Sequence, residues 1–351
     1  MPTLLDIPAV DKQFRLQIQA IIDNKTKPLG ALGLLESVAL QLALLQSQNA
    51  SCAAQKIALP IPVMVIFAAD HGIADQGVSI ASSDVTGQMV ANFTHGGAAI
   101  NCFCRANEID LYVVDAGIKN VPDCSSEHFF VKRLGAGTAD FSQQAAMTRE
   151  QVQQGLEYGQ QVVTELLQKG ANILLLGEMG IANTSSASAL MCALTSHPID
   201  KCVGKGTGIT EQQYTHKLAL IKKALIRITE ESDVITILAE LGGFEIVQMV
   251  GAILAAGKQQ LPVMIDGFIV SVAALAAYRL APNIIDYLIF SHQSEEQGHQ
   301  LLLREMSASP LLFLGLRLGE GTGAALAWPL VRAACHFYND MASFESAGVT
   351  V

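Results

Sequence analysis

The sequence predicts an α/β fold in which βα units build a largely parallel sheet, and three observations carry that reading. From Ile57 onward, short apolar runs alternate with longer helical patterns, the order produced when each strand is followed by a covering helix. Several runs close on polar residues, as in Asp70-His71-Gly72, Asp115-Ala116-Gly117, Gly177-Glu178, Asp266-Gly267, Ser291-His292 and Gly319-Glu320. Open α/β sheets bind ligands beyond the carboxyl ends of their strands, where such residues would gather. Finally, half of the 351 residues are hydrophobic and 15% are charged, with 29 glycines. That composition supports a large core with closely packed helices.

Residues 11–50 precede the alternation and read as helices, because Leu34, Leu35, Val38, Leu42 and Leu45 recur at helical spacing. A loop over 25–33 is punctuated by Pro28, Gly30 and Gly33. The strand runs are Val63–Ala69, Leu111–Val114, Ile173–Leu176, Val263–Ile265, Ile284–Phe290 and Leu311–Leu316. Between the first two, residues 88–101 form a helical pattern mixing apolar and amide groups, suited to core packing or to walling an aromatic ligand. The N-terminal helices and the helical tail after Trp328 lie outside the alternation and can pair as a small lobe. Pro329 falls within the last helical pattern and is expected to start or kink that helix.

Composition also excludes some partners. Net charge is −10 and no basic block occurs, which argues against nucleic acid and anionic membrane. No apolar run reaches the roughly eighteen residues of a membrane span, and Met1–Asp6 shows no secretory pattern. The seven cysteines (52, 102, 104, 124, 192, 202 and 335) are odd in number, without a C-x-x-C pair. They read as reduced, mostly buried thiols of a cytoplasmic protein.

Three stretches carry candidate chemistry. Glu320 sits in a glycine turn, Gly319-Glu320-Gly321, between an apolar run and an alanine-rich helical pattern. Flanking glycines let a ligand reach the carboxylate, although Glu320 equally suits the positive end of the following helix. Gly177–Ala187 follows a strand pattern and opens a helix, offering either an anion cradle or an N-cap from Asn183 or Thr184. Gly204-Lys205-Gly206-Thr207-Gly208 is a second amide-rich loop, with Lys205 and Lys217 as counter-charges. Neither loop is a P-loop, and no G-x-G-x-x-G opens the first βα unit. Asp70, His71 and Asp75 fall short of a metal-ligand set, so their turn reads as lining a pocket. A G-x-S-x-G elbow is absent.

Taken in order, these segments resemble the nicotinate-nucleotide–dimethylbenzimidazole phosphoribosyltransferase family. The resemblance rests on Lys27–Glu36, Ala69–Gly72, Val85–Asn101, Gly177–Thr184, Val203–Ile209, Leu241–Phe244, Ile265–Phe268, Ser291–Ser294 and Arg317–Gly321, and spans roughly residues 7 to 340. It implies a Rossmann-like large domain over residues 55–325, with helices on both faces of the sheet. A small helical lobe would combine residues 1–54 with 326–351, and the chain would form a homodimer.

The implied reaction is displacement of nicotinate from nicotinate mononucleotide by 5,6-dimethylbenzimidazole, giving α-ribazole 5′-phosphate without a cofactor or metal. Residue by residue, Glu320 matches the family's general base and Glu178 a second acid of the same site. Gly177, Gly180, Asn183, Thr184, Gly204, Gly206, Thr207, Gly208, Lys217, Asp266 and Ser294 fall around the phosphoribosyl group, and Ala81, Gln88, Met89 and Leu318 on the benzimidazole side. Ala31, Lys205 and Ser185 replace the serine, arginine and threonine often seen there, and residues 77–83 do not follow a fixed pattern. The same loops would serve a nucleosidase using water, or a non-catalytic nucleotide binder. An apolar wall for a second aromatic ring argues against the nucleosidase, and two acids in open turns argue against the binder.

Overall fold

The computed structural model describes residues 4–123, 126–204, 206 and 208–350; Cys124, Lys205 and Thr207 lie outside them. In chain order the elements begin with α1 (Arg15–Asp23), α2 (Leu34–Gln46), β1 (Pro62–Ala69), α3 (Asp84–His95), α4 (Ala99–Ala106), β2 (Asp110–Gly117), β3 (Phe129–Val131) and α5 (Arg149–Gln168). They continue with β4 (Ile173–Met179), α6 (Asn183–Thr195), α7 (Ile199–Cys202), α8 (Glu211–Leu225), α9 (Val234–Leu241), α10 (Phe244–Lys258) and β5 (Val263–Ile265). The last are α11 (Phe268–Leu280), β6 (Leu288–Phe290), α12 (His299–Glu305), α13 (Thr322–Asp340) and α14 (Phe344–Ala347).

The six strands form one sheet in the order β3-β2-β1-β4-β5-β6, with every pairing parallel. This is the doubly wound order, whose direction reverses between β1 and β4. β1 and β4 are buried along almost their whole length, which explains why they read as continuous apolar runs rather than alternating ones. Helix α10 is buried from Phe244 to Gly257 and packs on α5. Gly159 and Gly251 allow that approach, because a Cβ on either would strike the facing helix backbone.

Two expectations change here. Leu311–Leu316 is not a strand. Its sheet-like pairing is an isolated bridge between Leu312 and His292, and Phe313 and Leu314 are exposed. The run at Ile284–Phe290 is a strand only from Leu288, because Pro282 starts a 3₁₀ turn that lasts to Tyr287. Conversely, the short strand β3 has no counterpart among the expected runs.

The chain ends are laced together. The Tyr338 hydroxyl donates to the Ala54 carbonyl at 2.6 Å, Asn339 exchanges two hydrogen bonds with the Ile57 backbone, and Lys25 Nζ donates to the Met341 carbonyl at 2.8 Å. Pro329 lies inside α13 rather than at its start. Proline lacks the N–H that would bond the carbonyl four residues earlier, and Asn107 Nδ2 supplies that donor to Ala325 at 3.1 Å. The helix therefore continues with its freed carbonyl satisfied. Among the described residues, no helix is long and apolar enough to cross a membrane.

Candidate active site

A cleft of about 300 Å³ opens at the carboxyl ends of β4 and β5. Glu178, Asn183, Thr184, Gly206, Asp266, His292, Ser294, Glu296, Arg317 and Glu320 line its polar side. Met89, Ile181, Phe268, Ile269, Val270 and Leu318 supply an apolar side.

Glu320 is presented by three consecutive left-handed residues, with φ of 82° at Gly319, 62° at Glu320 and 86° at Gly321. Glycine accepts that conformation freely, whereas a glutamate there must be held by its surroundings. The hold is visible. Gly177 of β4 packs its Cα directly on the turn, and a Cβ there would lie 2.6 Å from the Glu320 carbonyl oxygen. Thr322 Oγ1 donates to the Gly319 carbonyl at 2.8 Å. The Glu320 carboxylate is buried and Oε2 has no protein partner. Burial raises its pKa above the ordinary 4.5, against a backbone N–H from Ile100, and the charge of Asp266 raises it further. It is thus a stronger base than a solvated glutamate.

Glu178, the penultimate residue of β4, adjoins that turn. The Glu320 backbone N–H bonds its carboxylate, and Asn183 Nδ2 donates to Oε2. Burial pushes its pKa up to about 8, and the charges of Asp266 and Glu245 add to the rise. Burial thus favours the protonated form of Glu178, against the two donors that favour its carboxylate.

At the end of β5, buried Asp266 accepts the Ala324 N–H of α13 at 2.9 Å and lies 3.7 Å from His292 Nε2. Burial raises its pKa, opposed by His292 and by α13 backbone donors. Ser294 is fixed by its own N–H, which donates to His299 Nδ1 at 2.8 Å. His299 is therefore neutral, with its proton on Nε2 toward Ser271 Oγ at 3.0 Å. Burial holds its pKa down at about 3.

Beside the N-terminus of α6, Lys217 Nζ donates to Thr184 Oγ1 at 3.1 Å and to the Gly204 carbonyl at 3.3 Å. Burial lowers its pKa to about 8, and Glu296 opposes the drop. A helix N-terminus, glycine amides and a buried ammonium together suit an anion.

The family model described as phosphoribosyltransferase matches residues 7–349. A nicotinate-nucleotide–dimethylbenzimidazole phosphoribosyltransferase of Vibrio vulnificus is 59% identical, covering 97% of this chain and 100% of that one. Its counterpart in Vibrio cholerae is 54% identical, over 97% of this chain and 100% of that one. The crystal structure of CobT from Thermus thermophilus superposes with a TM-score of 0.90 at 40% identity, covering 96% of this chain and 99% of that one. The chain belongs to the nicotinate-nucleotide–dimethylbenzimidazole phosphoribosyltransferase family.

Of the site residues that this family resemblance implied, the enzyme gathers Glu178, Gly180, Asn183, Thr184, Gly206, Asp266, Ser294, Met89, Leu318 and Glu320 on the cleft. Gly177 stands behind it as a backbone support, and Lys217 and Gly204 stand behind Thr184. Gly208, Ala81 and Gln88 do not line the cleft, and Gln88 is exposed on α3. Thr207 and Lys205 lie outside the described residues.

Three expectations are corrected. Neither Asn183 nor Thr184 caps α6; left-handed Ala182 occupies that position, which frees Asn183 to bond Glu178. Asp70 and His71 are fully buried rather than pocket-lining: His71 Nε2 pairs with Glu245 Oε1 at 2.7 Å, and Asp70 accepts the Lys119 N–H. Asp115 pairs with Arg133 at 2.5 Å, away from the cleft. Sequence reasoning missed Glu296, Arg317 and the start of α11 as cleft wall. Their signals were slight: an acid two residues after Ser294 and an arginine just before the glycine turn.

Proposed function

We propose that the cleft transfers the 5-phosphoribosyl group of nicotinate mononucleotide to 5,6-dimethylbenzimidazole, with Glu320 as general base. The observation that carries this reading is a buried carboxylate, one oxygen unpartnered, standing between an anion cradle and an apolar wall. The phosphate would occupy the α6 N-terminus with Thr184, Gly206 and Lys217. The benzimidazole would lie against Met89 and Leu318. That apolar wall is what a hydrolase using water would not need.

Nicotinate leaves as a neutral pyridine ring from a cationic pyridinium, so the leaving group needs no acid. The base is needed on the other side. One benzimidazole nitrogen attacks C1′ while Glu320 takes the proton from the other, and the nucleophile never becomes a free anion. Attack opposite the departing ring inverts β to α. Positive charge develops on the ribosyl group in the transition state, as in glycosidic cleavage. From the cleft wall, Glu178 in its ionised form would stabilise that charge electrostatically.

The same proposal includes a homodimer and a cytoplasmic location. Exposed Phe313, Leu314 and Leu318 in one loop support the first, and the free thiols of the described cysteines suit a reducing compartment. We further assign residues 55–325 to the catalytic domain and 1–54 with 326–351 to a helical lobe, supported by the hydrogen bonds that lace the two chain ends.

The test is incubation with nicotinate mononucleotide, with and without 5,6-dimethylbenzimidazole, followed by product analysis. An α-linked ribotide formed only with the base supports the proposal. Ribose 5-phosphate released at the same rate without it contradicts the proposal.

A further inference from the structure

We infer that Asp266 is the positioning residue for Glu320: from the end of β5 it holds the first turn of α13, and through it the left-handed turn that aims the base into the cleft. This rests on the assignment of Glu320 as base and adds a residue whose duty is to that base rather than to substrate.

Asp266 is 1% exposed, so its carboxylate spends its bonding capacity on protein. Oδ1 accepts the Ala324 N–H at 2.9 Å, and the N–H groups of Gly323 and Gly321 also point at the carboxylate. Those donors belong to residues that directly follow Glu320, so the carboxylate anchors the chain on the exit side of the turn. On the entry side, Thr322 closes back on the Gly319 carbonyl. From below, Gly177 blocks any retreat of the Glu320 backbone. Gly323 is required for the same reason: a side chain there would strike the His292 ring, which stands against the turn of α13 and faces Asp266. A non-glycine residue at φ 62° is thus fixed from three sides.

The charge of Asp266 has a second consequence. The titratable groups sharing the cleft with Glu320 are Glu178 from β4, Asp266 from β5, His292 and Glu296 after β6, and Arg317 on the turn's own loop. Ile100 of α4 contributes only a backbone N–H. Burial raises the Asp266 pKa, and His292 with the N–H donors at the start of α13 opposes that rise. In its ionised form Asp266 sets a negative charge beside Glu320, which favours the protonated form of Glu320 and so its capacity to accept a proton.

The test compares kcat and KM against pH for wild type, Asp266→Asn and Asp266→Ala, with Glu320→Gln run alongside. Asparagine keeps the acceptor and the volume but removes the charge. Asp266→Asn is expected to lower kcat about tenfold, to move the acid limb of the kcat profile to lower pH, and to leave KM for nicotinate mononucleotide within about twofold. Asp266→Ala also frees the turn and is expected to lower kcat about a hundredfold, the loss typical of a base misplaced by about 1 Å. A raised KM with an unmoved acid limb would overturn the inference, because it marks a substrate contact, and so would wild-type kcat in both variants. Should Asp266→Asn fail to fold, Asp266→Ser, which retains a short acceptor without charge, carries the same expectations. The control separates the two ideas: an acid limb that persists in Glu320→Gln removes the base assignment itself, whatever Asp266 does.

Discussion

Replacing Glu178 with glutamine should flatten the pH dependence of stability. The Glu178 carboxyl is raised from its ordinary 4.5 to about 8 by burial, so between those values the folded chain keeps a proton that the unfolded chain has lost. The stabilisation is complete below pH 4.5 and fades as pH rises through about 8. At about 1.4 kcal/mol per pH unit, ionising Glu178 in the folded enzyme costs on the order of 5 kcal/mol. Spread over the unfolding entropy of a chain this long, that corresponds to a fall in Tm of roughly 5 °C between about pH 5 and pH 8.5. The substituted glutamine keeps hydrogen-bonding capacity and never ionises. Thermal melts of the ligand-free enzyme across this range should therefore show wild type losing several degrees relative to Glu178→Gln. Asp266 and Glu320 are common to both proteins, so the difference reports Glu178 together with its coupling to Asp266. Parallel Tm curves would refute the burial argument and leave Glu178 an ordinary carboxylate.

Other perturbations have equally direct readouts. Gly177→Ala places a Cβ against the Glu320 carbonyl; the fold should survive while kcat drops about a hundredfold, as for a catalytic group displaced by about 1 Å. Lys217→Met removes the buried ammonium behind Thr184, and calorimetric titration should show nicotinate mononucleotide binding weakened roughly 10- to 100-fold, the worth of a charge-assisted bond. Asn107→Ala leaves the Ala325 carbonyl without its donor beneath Pro329, costing about 1–3 kcal/mol in stability, read as a lower Tm with unchanged kcat.

Much of this architecture was legible because burial on both faces writes strands as apolar runs. That holds for β1, β2, β4 and β5, and for the polar residues that close β4 and β5. The same grammar misread Leu311–Leu316: an apolar run signals a strand only where a neighbour pairs with it, and Phe313 and Leu314 are exposed instead. β3 escaped notice because Phe129–Val131 runs straight into the charged pair Lys132 and Arg133. Glu320 stood out through its flanking glycines, which local sequence does show. Its supports did not, since Asp266 to Ala324, Asn107 to Ala325 and His71 to Glu245 join residues far apart in the chain. No local pattern encodes those contacts. Asn183 illustrates the limit from the other side: its residue type suits a helix cap, yet the left-handed Ala182 takes that place and redirects the amide to Glu178.

The central claim is that Glu320 takes the benzimidazole proton. It is tested most directly by single-turnover formation of α-ribazole 5′-phosphate in wild type and in Glu320→Gln, with nicotinate mononucleotide affinity measured separately. The account predicts unchanged nucleotide affinity and a rate reduced by about 10²–10⁴-fold, the usual worth of a general base. A folded Glu320→Gln enzyme that turns over near the wild-type rate would contradict it.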